Sequence, residues 1–228
     1  MAKKPRTPPP PRRVQAPQQR HHVATPDERR SRLILFAVAA SGILGLVVAI
    51  GLFVFFGGGS ASAADALEAA DCRLQDVQAS ASAQHVQQPP PRSEYNTWPP
   101  TSGKHFGTPP PWDAYPEPVE QFRLVHNLEH GGIVIQYGDE VPDATVEEIL
   151  AWYRDDPNGI VIAPYPELNA EIALEAWTAP DSTQSEEPGR AYLARCPGFE
   201  EDAFEGFKDS YGFRGPERFP RELLTPGS

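Results

Sequence analysis

The chain has 228 residues, enough for one modest folded domain, and a formal net charge of −11. The charge is unevenly spread: residues 1–32 hold nine Lys or Arg against two acids and carry +7, which leaves −18 for the remainder. An acidic remainder argues against nucleic acid as a partner, because proteins that bind nucleic acids neutralise phosphates with Lys and Arg.

The first predicted element is a membrane-spanning helix at residues 33–56. This run (LILFAVAASGILGLVVAIGLFVFF) contains no charged side chain, and at ~1.5 Å rise per residue it can cross a hydrocarbon core of ~30 Å. The basic residues before it predict a cytoplasmic N-terminus and a C-terminal domain outside the cell membrane. A cleaved signal peptide is the alternative, because residues 61–63 (ASA) resemble a processing site, but signal peptides have shorter apolar and basic segments.

The segments beside this span are predicted to lack regular structure. Residues 1–32 are rich in Pro, Arg and Gln and have too few apolar groups to offset the entropy of ordering, so we expect a disordered cytoplasmic tail. Residues 57–63 (GGGSASA) are typical of a flexible linker. We expect one extracytoplasmic domain at residues 64–215 and a C-terminal tail at residues 216–228.

The domain begins with a predicted alanine-rich helix at residues 64–79, which carries Cys72. The other cysteine, Cys196, also follows the predicted span, and two cysteines in an oxidising compartment predict one disulfide bond. A thiolate pair that binds a metal is the alternative reading. The predicted disulfide would connect the start of the domain to a segment near the C-terminus.

Residues 87–118 are dominated by proline, which lacks an amide donor and excludes a central strand or helix. We therefore predict a long ordered segment that wraps around the domain. Its aromatic side chains would either fix the segment to the domain or form a docking face for another envelope protein: Tyr95, Trp98, Phe106, Trp112 and Tyr115.

The rest of the chain predicts an α+β fold with a short mixed sheet and flanking helices. Apolar residues from Val119 to Leu128 recur every three positions and predict three helical turns, which end at Gly131-Gly132. Strands are predicted at residues 133–137, 160–163 and 172–177.

A helix from Thr145 to about Arg154 separates the first two predicted strands, so they should pair in parallel through a right-handed crossover. The third strand should run antiparallel and pair with the second. A final helix is expected to direct Phe204, Phe207 and Tyr211 inward.

Four histidines follow the predicted span and form a candidate site for copper or zinc. His126 and His130 can bind one ion in a helical turn, whereas in a strand they would lie about 13 Å apart. His105 lies in a predicted turn that can fold over this pair, and His85 is the fourth candidate. The alternative is that each histidine is a hydrogen-bonded structural residue.

The letters H-x-x-E-H at residues 126–130 match an inverted zincin signature, in which Glu129 would act as the base of a metal-dependent hydrolase. Zincin sites lie within long helices, but two glycines and a strand follow here at once. We therefore expect Glu129 to fix a histidine tautomer or to cap a loop amide. Two alternative functions remain. One is this metal-dependent hydrolase, and the other is an interaction module that docks another envelope protein and whose histidines are structural.

Three stretches of the chain resemble one family. They are YNTWPPTSGKHFGTPP at residues 95–110, DAYPEPVEQFRLVHNLEHGGIVIQY at 113–137 and VIAPYP at 161–166. Together they are similar to the uncharacterised family numbered 3105 among the domains of unknown function, over roughly residues 70–210. Lys104 stands where a proline is common in that family.

Members of the family are largely bacterial proteins with one N-terminal membrane anchor, and the family has no established reaction. The resemblance implies that five residues act as one unit: His85, His105, His126, Glu129 and His130. Together with the charge pattern, it leads us to expect a membrane-anchored extracytoplasmic domain with a histidine-rich metal site.

Overall fold

The structure is a computed structural model that describes residues 62–80, 82–180 and 189–228. The predicted cytoplasmic tail, the predicted membrane span at 33–56 and most of the predicted linker lie outside these residues. Within the described ranges, no helix has both the length and the apolar character needed to cross a membrane. All three ranges belong to one compact unit, Ser60–Ser228.

A five-stranded mixed sheet forms the centre of this unit, in the order β1-β5-β4-β2-β3. Its only parallel pair among the described residues is β2 with β3, and the other neighbours are antiparallel. The predicted α+β class is confirmed. The strands are β1 (Arg73–Gln78), β2 (Ile133–Tyr137), β3 (Ile160–Pro164), β4 (Ile172–Thr178) and β5 (Arg190–Cys196).

The α-helices flank the sheet and are α1 (Ala63–Ala69), α2 (Gln121–Glu129), α3 (Asp143–Asp155) and α4 (Glu201–Tyr211). One face of the sheet packs against α1, α3 and α4, and the isoleucines of β2 and β3 lie in this core. Phe204 and Phe207 of α4 are buried there, as predicted. The opposite face packs against α2 and Trp112, through Val134 and Val161.

The predicted helix at residues 64–79 is wrong beyond Ala69. The chain turns at Asp71, whose φ is 55°, and residues 73–78 form β1 instead. Cys72 therefore lies between the helix and the strand. Alanine-rich sequence favours a helix, but pairing with β5 over six residues, from Arg73 opposite Arg195 to Gln78 opposite Arg190, decides the structure.

The predicted partner of the third strand is also wrong. β4 does run antiparallel, but it pairs with β2 and with β5 rather than with β3. β3 is left at the edge of the sheet, where the proline-rich segment covers it. Tyr115 donates its amide to the carbonyl of Ile162 at 2.7 Å, and Ile162 donates to Asp113 at 3.0 Å. These contacts remove exposed donors and acceptors from the edge strand.

The proline-rich segment packs on the same face of the sheet as α2. Trp112 is 4% exposed, and an added Cβ on Gly132 would lie 2.2 Å from its ring. The side chain of Arg123 donates to the carbonyls of Thr108 and Pro109, each at 3.0 Å. Helix α2 and the proline-rich segment are therefore held together by both apolar and polar contacts.

Cys72 and Cys196 form the predicted disulfide bond, with the two sulfurs 2.05 Å apart and a sequence separation of 124. The residues next to them, Arg73 and Arg195, face each other in the ladder between β1 and β5. The bond thus closes the end of an antiparallel strand pair.

Residues 216–228, which the sequence predicts to be a C-terminal tail, contact the domain. Leu224 is 2% exposed in the core beneath α2. Its carbonyl accepts the amide of Gly159 at 2.7 Å, and the amide of Trp112 donates to Ser228 at 3.2 Å. This segment therefore runs beside the face of the sheet that carries the histidines.

Candidate metal centre

Helix α2 supplies three of the sequence-predicted site residues. Leu124, Val125 and Leu128 bury one side of the helix in the core, which leaves His126 and Glu129 to face the proline-rich segment. The helix ends at Glu129, with His130 as its C-cap, because Gly131 adopts φ 92°. Gly132 donates to Asn127 and Gly131 donates to Leu128, each at 3.0 Å. This Schellman ending confirms the glycine stop and fixes the position of His130.

Two more histidines are brought to α2 by a short parallel bridge between His85 and His105. The amide of Val86 donates to the carbonyl of His105 at 2.8 Å, and the amide of His105 donates to Gln84 at 3.2 Å. The two imidazole rings are 4.9 Å apart, centre to centre. The ring of His85 also stacks on His126 at 4.8 Å. Residues far apart in sequence thus meet at the helix.

The donor atoms of four side chains converge. Oε2 of Glu129 lies 3.0 Å from Nε2 of His105 and 3.4 Å from Nε2 of His85. One donor atom from each of His85, His105, His126 and Glu129 lies within 4.8 Å of every other. A tetrahedral ion with bonds of ~2.0 Å separates its ligand atoms by about 3.3 Å. The group is therefore compact enough to surround one metal ion after small side-chain movements. We call it the inner site.

Backbone carbonyls fix the tautomers of two of these histidines. Nδ1 of His105 is 2.8 Å from the carbonyl oxygen of Gly103, and Nδ1 of His126 is 2.8 Å from that of Phe106. A carbonyl oxygen only accepts, so each Nδ1 carries a proton and donates it. In a neutral imidazole Nε2 then presents its lone pair. Metal-binding histidines are held by carbonyls in this manner.

His130 belongs to a second group of donors. Its Nε2 lies 3.0 Å from Nε2 of His126 and 3.0 Å from Oε2 of Glu217. The donor atoms of His126, His130 and Glu217 also lie within 4.8 Å of one another. The structure thus divides the predicted histidines between two groups that share His126. Glu217 was missed because it lies in the predicted tail, with no nearby sequence pattern to distinguish it.

Residues 85–192 match the family model described as a protein of unknown function, DUF3105. This segment carries the DUF3105 domain. No curated protein and no solved structure shows a significant match to the chain. The family match confirms the sequence-based resemblance and assigns no activity.

The DUF3105 segment contains every donor of the inner site, and it begins at His85. Glu217 lies after its end. The inner site is therefore built entirely from the family domain, whereas the second group combines two residues of that domain with one from the C-terminal segment.

Charge in the inner site is set by burial and by neighbouring imidazoles. Burial lowers the pKa of His126 below its usual 6.5, more than the Phe106 carbonyl raises it. Burial alone would raise the pKa of Glu129, but hydrogen bonds and charge from His105, together with His85, outweigh it and leave the pKa below 4.5. At neutral pH the DUF3105 domain therefore holds a neutral His126 beside an ionised Glu129, and these are the forms that bind metals.

The contact between His105 and Glu129 is almost completely buried. Their side chains are 0% and 5% exposed, so water contributes little to their solvation. A neutral His105 with its proton on Nδ1 places a lone pair 3.0 Å from a carboxylate oxygen. Two acceptors at this distance repel each other unless a proton or a cation lies between them. This pair therefore requires a positive charge in the inner site.

Proposed function

We propose that the DUF3105 domain of this protein binds one transition-metal ion through His85, His105, His126 and Glu129. The observation that carries the proposal is the orientation of His105 and His126. Both rings donate from Nδ1 to backbone carbonyls, so Nε2 is the nitrogen left to bind a metal. Nε2 of His105 lies 3.0 Å from Oε2 of Glu129, and Nε2 of His126 lies 3.0 Å from Nε2 of His130. Burial disfavours an unpaired carboxylate there, and a bound cation would neutralise it.

The ligand types favour zinc or copper in the divalent state. Three imidazole nitrogens and one carboxylate oxygen suit Zn²⁺, and imidazole also suits Cu²⁺. Copper in the monovalent state prefers thiolate and thioether ligands. The chain has one methionine, Met1, and two cysteines, and both cysteines are in the disulfide bond. Sulfur ligands are therefore absent from the inner site.

A metal-dependent hydrolase is the second reading of Glu129. A catalytic base has to act on a metal-bound water, and so it cannot itself occupy the metal. Glu129 lies close to both His105 and His85, a position that suits a ligand better than a base. The hydrolase therefore stays an alternative, and its test is whether Glu129→Gln retains the metal.

An envelope interaction module with structural histidines is the remaining alternative. The aromatic side chains proposed for docking contact their own domain: Trp112 is 4% exposed, and Trp98 donates to the hydroxyl of Tyr165 at 2.7 Å. These contacts favour a structural role for the aromatic residues.

We keep the proposal that the domain lies outside the cell membrane on an N-terminal anchor. The disulfide bond supports this location, because disulfide bonds form and persist in oxidising compartments.

Metal analysis of the full-length protein, purified in detergent without chelator, tests the metal proposal. We expect about one zinc or copper ion per chain. The variants His105→Gln and Glu129→Gln should lose it, whereas His22→Gln, in the predicted cytoplasmic tail, should retain it. Circular dichroism checks that each variant is folded. Absence of stoichiometric metal from the wild-type protein, before and after incubation with Zn²⁺ or Cu²⁺, contradicts the proposal.

Loss of metal from Glu129→Gln would identify Glu129 as a ligand. Full retention of the metal would instead favour the hydrolase, and the variant should then be compared with wild type on ester and amide substrates.

A further inference from the structure

Residues 213–219 cross the C-terminal end of α2, and we call them the strap. Phe213 donates its amide to the carbonyl of Gly131 at 2.6 Å, and Glu217 donates to that of Glu129 at 3.1 Å. The last carbonyls of a helix lack partners within it, so the strap satisfies groups that the helix leaves open. An added Cβ on Gly215 would lie 2.2 Å from the amide nitrogen of Gly131. The strap is therefore closely seated by backbone contacts.

The strap directs two side chains at His130. Oε2 of Glu217 lies 3.0 Å from Nε2 of His130, and the ring of Phe219 packs on the imidazole at 4.2 Å. Nε2 of His130 in turn lies 3.0 Å from Nε2 of His126. These atoms form a short row of donors that runs from the strap to the inner site, with His126 at their junction.

His126 can serve only one ion at a time. Its Nδ1 donates to the carbonyl of Phe106, so Nε2 is the only ring nitrogen left to bind a metal, and one lone pair makes one bond. An ion held by His126, His130 and Glu217 therefore excludes His126 from the inner site. The ion can reach the inner site if it stays bound to His126 and exchanges His130 and Glu217 for the inner ligands.

Burial and donor number give this exchange a direction. The side chains of Glu217 and His130 are 42% and 16% exposed, whereas those of Glu129 and His105 are 5% and 0% exposed. His85, at 47%, is the one exposed ligand of the inner site. The outer group offers three donors and the inner group four. An accessible carboxylate attracts a hydrated cation, and the inner site, with more donors and a buried carboxylate, should hold the ion more tightly.

We propose that His126, His130 and Glu217 form an outer metal position that loads and unloads the inner site. This proposal rests on metal binding at the inner site. It assigns Glu217 and His130 a role in the rate of metal exchange and only a small role in the equilibrium affinity.

The test is the kinetics of Zn²⁺ binding to the full-length protein in detergent, with dissociation followed by chelator competition. A residue that acts only on the route into a site changes association and dissociation by the same factor. We therefore expect Glu217→Gln to slow both by about tenfold and to leave Kd nearly unchanged. His130→Gln should act in the same way. Glu222→Gln removes the same charge from an exposed position and is the matched control.

A second measurement isolates the outer position. In the double variant His105→Gln/Glu129→Gln, we expect weak binding of Co²⁺, a spectroscopic probe for zinc, and its loss when Glu217→Gln is added. Unchanged rates in Glu217→Gln, or an equal fall in Glu222→Gln, would overturn the loading proposal although the inner site still binds metal. A wild-type protein that binds no metal would overturn the proposed function as well.

Discussion

The Nε2 atoms of His126 and His130 lie 3.0 Å apart at the end of α2, yet only His126 belongs to both groups of metal donors. His126 is common to both groups, whereas His130 is grouped with Glu217. The spacing of four residues in a helix explains why their rings meet. It does not determine which other ligands each ring meets, because those include His85, His105 in the proline-rich segment and Glu217 in the strap.

Bound metal should stabilise the domain through His126 and much less through His130. A ligand that binds only the folded protein adds about 2.7 kcal/mol when its concentration is 100 times Kd. We expect Zn²⁺ to raise the melting temperature of wild type and a chelator to reverse the effect. His126→Gln should abolish this response, and His130→Gln should preserve it. An equal loss in both variants would show that the two groups do not differ in affinity.

The disulfide bond should make a large contribution to the free energy of unfolding. It closes a loop with a sequence separation of 124 residues, and the chain-entropy estimate for such a loop is roughly 5 kcal/mol. We expect the double variant Cys72→Ser/Cys196→Ser to unfold at a lower urea concentration, as measured by tryptophan fluorescence. Wild type treated with a reductant should shift by the same amount. Equal midpoints for the reduced and oxidised proteins would contradict this prediction.

The strands that the sequence predicts correctly are those with clear β-branched runs. IVIQY in β2 and the apolar runs of β3 and β4 are buried. β1 was missed because its sequence, RLQDVQ, is largely polar and exposed at the edge of the sheet. β5 was missed because RAYLARC has only a short apolar run, AYLA, between its two arginines. Strand order was predicted incorrectly because pairing depends on long-range contacts that apolar periodicity does not encode.

The same limit applies to the candidate site. The helical spacing places His126, Glu129 and His130 together. His85 and His105 are candidates as the other histidines after the predicted span, and the family resemblance groups all five residues. Neither indicates the bridge that sets His85 beside His105, or the strap that brings Glu217 to His130. Both depend on backbone hydrogen bonds between distant segments. Glu129 was expected to fix a histidine tautomer. In the structure, backbone carbonyls accept from Nδ1 of both His105 and His126, so the carbonyls fix these tautomers.

The strap should be sensitive to a single methyl group at Gly215. Its added Cβ would lie 2.2 Å from the nitrogen of Gly131 and 2.4 Å from the oxygen of Glu129, and both are backbone atoms that cannot move aside easily. We expect Gly215→Ala to reduce the free energy of unfolding by about 1–3 kcal/mol and to slow metal exchange as Glu217→Gln does. Gly198→Ala is the control, because a Cβ there meets nothing within 4 Å. Similar stability for the two variants would contradict the close seating of the strap.

Glu175, in the interior strand β4, should make stability depend on pH. It is 0% exposed, and neither carboxylate oxygen has a hydrogen-bond partner among the described residues. Burial raises its pKa well above 4.5, against a smaller opposite effect of Arg195. The folded protein therefore holds Glu175 protonated in a pH range where the unfolded chain has released the proton.

This difference in pKa sets the direction in which stability changes with pH. A carboxyl group whose pKa is raised in the folded state favours folding fully below its unfolded pKa, and this contribution is lost as pH rises through the folded pKa. Glu175→Gln keeps the size of the side chain and removes the titration. We expect the variant to be more stable than wild type in mildly alkaline buffer, with the difference shrinking as pH falls towards 4.5. Urea unfolding of both proteins across this range measures the effect, with exposed Glu222→Gln as control. Parallel pH profiles for Glu175→Gln and wild type would show that Glu175 is ionised in the folded protein.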